Sequence, residues 1–254
     1  MTYSALVLAG SRPGRDAFAQ RFGTDLKALI PVRGEPMVIR PIRALLESAK
    51  IGKVIVLAQQ SDRIANVLPA DSRLEVRQSQ GTIAETMLKL LDDPKLQWPV
   101  LVTTADHALL QASMIEEFCK HARGADVAIG VVRRAPLVRR LPATKRTWLK
   151  FRGGAYTGAN LFALASPSAR PAIDLWRSVE QDRKKAWRVI STLGPGTLLC
   201  AALRIISLDD VLAQLGGRIG LRLRAVRLSN PLAGVDVDTA EDHELVEAIL
   251  AGKA

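Results

Sequence analysis

The run Ala5-Leu6-Val7-Leu8-Ala9, closed at once by Gly10, constrains this chain more than any other stretch. Small and branched apolar residues without alternation suit a strand buried on both faces, as in a parallel sheet. The loop that follows holds Gly10, Ser11, Pro13 and Gly14 beside Arg12 and Arg15. Its backbone can come close to a ligand, and its guanidinium groups offer paired donors for phosphate oxygens. Lys27 follows, then the compact turn Arg33-Gly34-Glu35-Pro36. A glycine loop after a first strand, trailed by basic residues, has the chemistry of a triphosphate cradle. The Walker loop and the dinucleotide fingerprint are both absent, and Pro13 would interrupt a helix starting directly after Gly10. An ordinary βα turn with solvated arginines is the plainer reading of the same residues.

A chain of 254 residues, 48% hydrophobic, suits one α/β domain with an ample core. The excess of 36 Lys and Arg over 25 Asp and Glu, +11, favours polyanionic partners such as phosphorylated substrates, nucleic acid or an anionic surface. Aromatic residues make up only 4%, and no RNA-binding aromatic signature is present, so nucleic acid is not the expected partner. Cys119 and Cys200 lie far apart and form no C-x-x-C pair, as expected of buried thiols in a reducing compartment. The opening apolar run is too short for a signal segment and no run approaches a membrane span, so a cytoplasmic protein is expected.

Further along, the sequence alternates strand and helix signals, which predicts a mostly parallel sheet covered on both faces. Helical spacing over 36–49 must place Pro41 in the first turn or kink there. Strands are expected at 53–58, 74–77, 99–104, 126–132, 153–164 and 221–228. At Gln80-Gly81-Thr82, a glycine turn runs into a helix that Thr82 can cap. Asp106 ends the apolar strand Val100 to Thr104, where open parallel sheets bind ligands, and suits a hard cation such as Mg²⁺; capping the next helix is its bland alternative. His107 and His121 read as a polar contact and a surface residue. The span 133–152 carries eight basic and no acidic residues, with Trp148 and Phe151 among them. It is either a solvated face or the lining of a site for a phosphorylated acceptor. Residues 166–215 read as mainly helical, packing on the core, at a dimer face or at a membrane surface. Asp236 and Asp238 lie two apart on an extended segment and so point to one side, and Thr239 with Asp242 forms a capping pattern.

Leu8-Ala9-Gly10, Arg15, and Lys27 through Pro36-Met37 resemble the N-terminal signature of the MobA-like nucleotidyltransferases, within the sugar-phosphate nucleotidyltransferase group. That signature reads L-A-G-G-x-x-x-R, a spacer, then K-x-L-x-x-x-G-x-P-[ML]. Here Ser11 stands in place of the second glycine and the spacer Asp16 to Asp25 is longer. Gly81-Thr82 is similar to the family turn that lies against base and ribose, Thr103 to Leu109 to its metal-binding T-x-A-D-x-x-L, and Gly158-Ala159-Asn160 to a substrate-facing G-x-N. Asp236 to Asp242 resembles the closing D-x-[DN]-T-P-E-D, with Ala240 in place of proline.

The resemblance implies a three-layer, Rossmann-like α/β nucleotidyltransferase fold over residues 1–254. It has a mixed, mostly parallel sheet and a helical insertion for the acceptor at about 133–230. It further implies Mg²⁺-dependent transfer of NMP from an NTP to a phosphorylated small-molecule or lipid-linked acceptor, with release of pyrophosphate. Lys27 and Arg15 would be catalytic, and Ala9, Gly10, Ser11, Arg12, Gly81 and Thr82 would bind the nucleotide. Gly158, Asn160 and Arg152 would face the acceptor, and Asp106 with Asp236 or Asp238 would hold the metal. A homodimer is compatible with this reading. A nucleotide-sugar glycosyltransferase, or a non-catalytic polyanion-binding protein, would account for part of the same pattern.

Overall fold

In the computed structural model, residues 2–10, 16–79, 82–181 and 205–253 are described. The opening apolar run forms β1 (Tyr3–Leu8), buried throughout. It pairs in parallel with β4 (Ile51–Ala58) on one side and β6 (Val100–Thr104) on the other. Between β1 and β4 lie a one-turn helix α1 (Ala17–Gln20), a hairpin of β2 (Pro31–Val32) and β3 (Glu35–Pro36), and α2 (Ile39–Glu47). Pro41 falls in the first turn of α2, where a missing N–H costs nothing.

The chain then adds α3 (Ser61–Ala65), β5 (Leu74–Gln78) and α4 (Ile83–Leu91) before returning to β6 on the far side of β1. After α5 (Ala112–Ala122) come β7 (Val127–Arg133), α6 (Arg134–Arg140), β8 (Leu149–Phe151) and β9 (Gly154–Leu164). The chain continues through α7 (Arg170–Gln181), α8 (Leu208–Ile219), β10 (Leu223–Arg227) and α9 (Ala240–Leu250). The main sheet runs β10-β7-β9-β6-β1-β4-β5, with β8 pairing onto β9. β9 is antiparallel to β6, β7 and β8, which makes the sheet mixed.

Alternate residues of β1 feed different layers. Ala5 and Val7 pack with Met37 and with Ile42, Leu45, Met114 and Phe118 from α2 and α5. Leu6 and Leu8 face Met87, Leu88 and Ile173 from α4 and α7. A third cluster on the latter face joins Leu208 and Leu212 of α8 to Val131, Tyr156 and Ala225. Each fully buried Leu, Ile or Phe contributes about 1.5–3 kcal/mol, so this three-layer core fixes where the strand ends lie.

Part of the basic run is helical. Arg134 to Arg140 fold into α6, held down by buried Leu137, and Arg134 stacks over Trp148 at 5.8 Å. Periodicity missed this helix because one buried residue in seven leaves no pattern. Of the mainly helical span expected at 166–215, residues 182–204 lie outside the described residues, and α7 and α8 flank them.

Candidate functional site

Because the chain leaves β1 for β4 and β5 and then crosses to β6, a crevice opens beyond the carboxyl ends of β1 and β6. The backbone there is tightly tied. Ala9 N donates to Leu57 O at 2.9 Å and Ala105 N to Leu8 O at 3.0 Å. Ala9 is therefore a buried strut whose N–H is already used. Gly10 is next to it, and a Cβ there would meet the Gln59 amide at 3.1 Å. Gly10 and Gln59 share a narrow cleft with Leu8, Leu57, Ser79, Thr82 and Thr86.

Thr82 caps α4 as expected. Its hydroxyl accepts from Glu85 N and the Glu85 carboxylate accepts from Thr82 N, a reciprocal cap on α4, while the residue also lines the cleft. A larger cavity of about 180 Å³ shares Leu57 and Thr86 but is rimmed by Arg77 and Asp93, which pair with each other at 2.5 Å. Arg77 and Asp93 are thus spent on each other, whereas the narrow cleft adjoins Gly10 at the end of β1. Ser11, Arg12, Arg15 and Gly81 lie outside the described residues.

Asp106 does not cap α5, whose N-cap is Gln111. Its Oδ1 accepts from Thr104 Oγ1 at 2.5 Å and its Oδ2 from Lys27 Nζ at 2.7 Å. Lys27 opens a short 3₁₀ turn (Lys27–Leu29) and reaches from there into the crevice. Its ammonium also donates to Asp238 Oδ1 at 2.5 Å. Burial works against its charge, yet Asp106 and Asp238 together hold its pKa above the ordinary lysine value. The spacer before Lys27 is anchored by α1, where Asp16 caps the helix and Phe18 and Phe22 pack against His243 of α9.

The segment carrying Asp236 and Asp238 is extended, with Val235 and Val237 buried and both carboxylates on the opposite side. Val237 N donates to Asp106 O at 3.1 Å, which pins the segment to the end of β6. The two aspartates have different partners. Asp238 is 62% exposed and faces Lys27. Asp236 accepts from Arg146 Nη1, and from Asn160 Nδ2 at 2.9 Å. Burial pushes the Asp236 carboxyl above its usual range, opposed by Arg146 and reinforced by Asp238 and Asp106.

Asn160 reaches Asp236 through a distortion of β9. Ile129 pairs with Phe162 but Val131 with Gly158, so β9 carries two extra residues at this point. Asn160 sits there at φ 46°, a left-handed conformation that asparagine tolerates better than most residues. Gly130 makes room, since a Cβ on it would meet Leu161 Cβ at 3.1 Å. Gly158 is exposed two residues away on the same strand. Arg152 points elsewhere: it pairs with Asp210 at 3.3 Å on the exterior, and its N–H donates to Ile206 O.

Arg146 and Asp242 are the participants that sequence reasoning did not single out. Arg146 was one cation among eight, and Asp242 read only as a cap. Arg146 Nη2 donates to Asp236 O at 3.0 Å and to Asp242 Oδ1 at 2.8 Å. His107, beside Asp106, is completely buried with Nε2 unpartnered, and burial lowers its pKa to about 4, so it remains neutral. His121 is exposed.

Four carboxylates, Asp106, Asp236, Asp238 and Asp242, thus face two cations, Lys27 and Arg146, leaving a formal charge of −2. No three His, Cys, Asp or Glu side chains among the described residues form a ready cage for a metal ion. The donor chemistry nevertheless fits one hard divalent cation, which takes one or two carboxylates and completes its shell with phosphate and water.

Fold and site together define an α/β protein with an acidic centre at the sheet's switch point. Residues 5–197 match the MobA-like NTP transferase domain, and the chain belongs to that family. A hypothetical transferase from Thermus thermophilus is 32% identical, covers 96% of this chain and 100% of its own, and superposes with a TM-score of 0.81. Two more distant structures share the fold. A 4-diphosphocytidyl-2C-methyl-D-erythritol synthase from Anaerococcus prevotii has 12% identity and a TM-score of 0.60, covering 98% of this chain and 96% of its own. A CMP:2-keto-3-deoxy-manno-octonic acid synthetase complexed with CTP has 14% identity and a TM-score of 0.60, with 100% of both chains covered. No curated protein sequence matches significantly. Among the described residues, no helix is long and apolar enough to cross a membrane.

Proposed function

We propose that this protein transfers a nucleoside monophosphate from an NTP to a phosphorylated acceptor and releases pyrophosphate. The observation that carries the reading is Lys27 bridging Asp106 and Asp238 at the switch-point crevice, in a chain of the NTP transferase family. An acceptor phosphate oxygen forms a new bond to the α-phosphorus as the bond to the β-phosphate bridge breaks. The nucleophile comes with the substrate, so positioning and charge neutralisation carry the catalysis.

The base and ribose enter the cleft between Gly10, Gln59 and Thr82. Lys27 moves its ammonium from the two carboxylates to the phosphates, where its charge offsets the charge that builds on the leaving pyrophosphate. Arg12 and Arg15 reach the triphosphate in this reading, and Asn160 with Gly158 borders the acceptor side. Asp106 and Asp238 would hold Mg²⁺, which supplies charge neutralisation between phosphate oxygens when bound. Asp236 keeps its own partners. The test is pyrophosphate release with each of four NTPs and Mg²⁺ against a panel of phosphorylated acceptors. Turnover with one NTP and acceptor supports the reading; transfer of sugar from a nucleotide sugar, with no pyrophosphate from any NTP, overturns it.

A further inference from the structure

Arg146 is the most heavily engaged cation of the site, yet it lies in the loop between α6 and β8, 90 residues from Asp236 and 96 from Asp242. Its side chain is only 8% exposed. It grips the Asp236 carboxylate, the Asp236 carbonyl and the Asp242 carboxylate at once. Nε is buried without a partner, so the guanidinium is placed for these contacts at the cost of one unmade bond. Asp242 in turn accepts from Asp238 N at 3.2 Å and Thr239 N at 3.1 Å. One guanidinium therefore touches Asp236 directly and holds the backbone of Asp238 through a single intermediary.

We infer that Arg146 is a positioning residue that decides which carboxylates face the cation: it withdraws Asp236 from the metal site and sets Asp238 in place. The inference rests on the nucleotidyl-transfer reading of the same crevice. With Arg146 present, the cluster has a formal charge of −2, which one divalent cation neutralises. Without it the charge becomes −3, and Asp236 is left as an uncompensated oxygen donor beside Asp238 and Asp106. A second cation then has both a charge to answer and a carboxylate to bind. Asp236, held by Arg146, is instead free to accept from Asn160 and keep the β9 distortion turned toward the acceptor side.

The test counts Mn²⁺ bound to the purified full chain, by electron paramagnetic resonance, with metal alone and no nucleotide. The wild type and Asp236→Asn should each bind one ion. Arg146→Met should bind one more, and Arg146→Met with Asp236→Asn should return to one, because a neutral amide needs no counter-ion. Arg146→Lys should stay at one, since it keeps a charge. In pyrophosphate release, Arg146→Met should lose about 10–100-fold in kcat/KM, the usual scale for a group that orients metal ligands, with the double variant nearer to wild type than the single one. Loss of the wild-type ion in Asp236→Asn overturns the inference, and this holds even if Arg146→Met fails to fold. So does a folded Arg146→Met that gains no ion. If the wild type turns over no NTP while the Mn²⁺ pattern stands, nucleotidyl transfer fails and the role of Arg146 in ordering the carboxylates does not.

Discussion

Lys27 Nζ lies 2.5 Å from Asp238 Oδ1, although 211 residues separate the two in sequence. The contact joins the first loop region of the chain to the segment before its last helix, and Asp106 at the end of the central β6 completes it. An ammonium held by two carboxylates and mostly out of water is preorganised, so its charge needs little solvent reorganisation when phosphates arrive.

Lys27→Ala should lower kcat/KM for pyrophosphate release by on the order of 10²-fold or more, the scale of losing one preorganised electrostatic contact. Its effect on folding should be smaller than its effect on turnover: Asp238 stays open to water, and only Asp106, 19% exposed, loses its cation away from solvent. Turnover close to wild type would remove Lys27 from the mechanism.

Asp106→Asn and Asp238→Asn keep side-chain shape and remove one negative charge each. Mg²⁺ with the matching NTP at about 100 times Kd should stabilise the wild type by about 2.7 kcal/mol. Either variant should lose the Mg²⁺-dependent part of that gain in a thermal-shift measurement. An undiminished shift in Asp238→Asn would assign the second metal ligand elsewhere.

Burial pushes the Cys119 thiol up to about 12, and burial with the neighbouring Cys119 raises the Tyr3 hydroxyl. Both groups bind protons more tightly folded than unfolded. Stability is therefore intact below pH 9, the ordinary thiol value, and is lost as pH rises from there toward 12. Urea unfolding across that range should show the decline, and Cys119→Ala should flatten it. In a Cys200→Ser background, a thiol reagent at pH 8 should label the native protein far more slowly than the unfolded one.

Two neighbouring glycines of α8 should respond oppositely to alanine. A Cβ on Gly216 would lie 2.3 Å from Leu221 O, a backbone atom that cannot swing away, whereas a Cβ on Gly217 meets nothing within 4 Å. Gly216→Ala should cost about 1–3 kcal/mol through overpacking. Gly217→Ala should gain roughly 0.5–1 kcal/mol by limiting the unfolded chain. Thermal unfolding of both variants settles the pair.

Residues that act through local chemistry were legible in the sequence. The continuous apolar run Ala5 to Ala9 reads as a strand buried on both faces, and β1 lies inside the sheet between β6 and β4. Thr82, Thr239 and the first turn of α2 behave as capping and proline chemistry require. Lys27, Asp106 and Asp238 were readable as candidates, Asp106 from the strand end it follows and all three from the resemblance to the family's motifs. Tertiary structure alone decided how the acidic residues divide. Whether Asp106 caps a helix or faces a cation depends on α5 starting at Gln111 rather than directly after β6. Whether Asp236 or Asp238 is open depends on Arg146 arriving from 90 residues away, and on a two-residue excess in β9 that turns Asn160 inward. Arg152, equal to Arg146 by composition, ends on the exterior with Asp210. Charge and spacing identify candidates, but pairing energies fall steeply with distance and depend on burial. Those distances exist only after strands far apart in sequence have been brought to one edge.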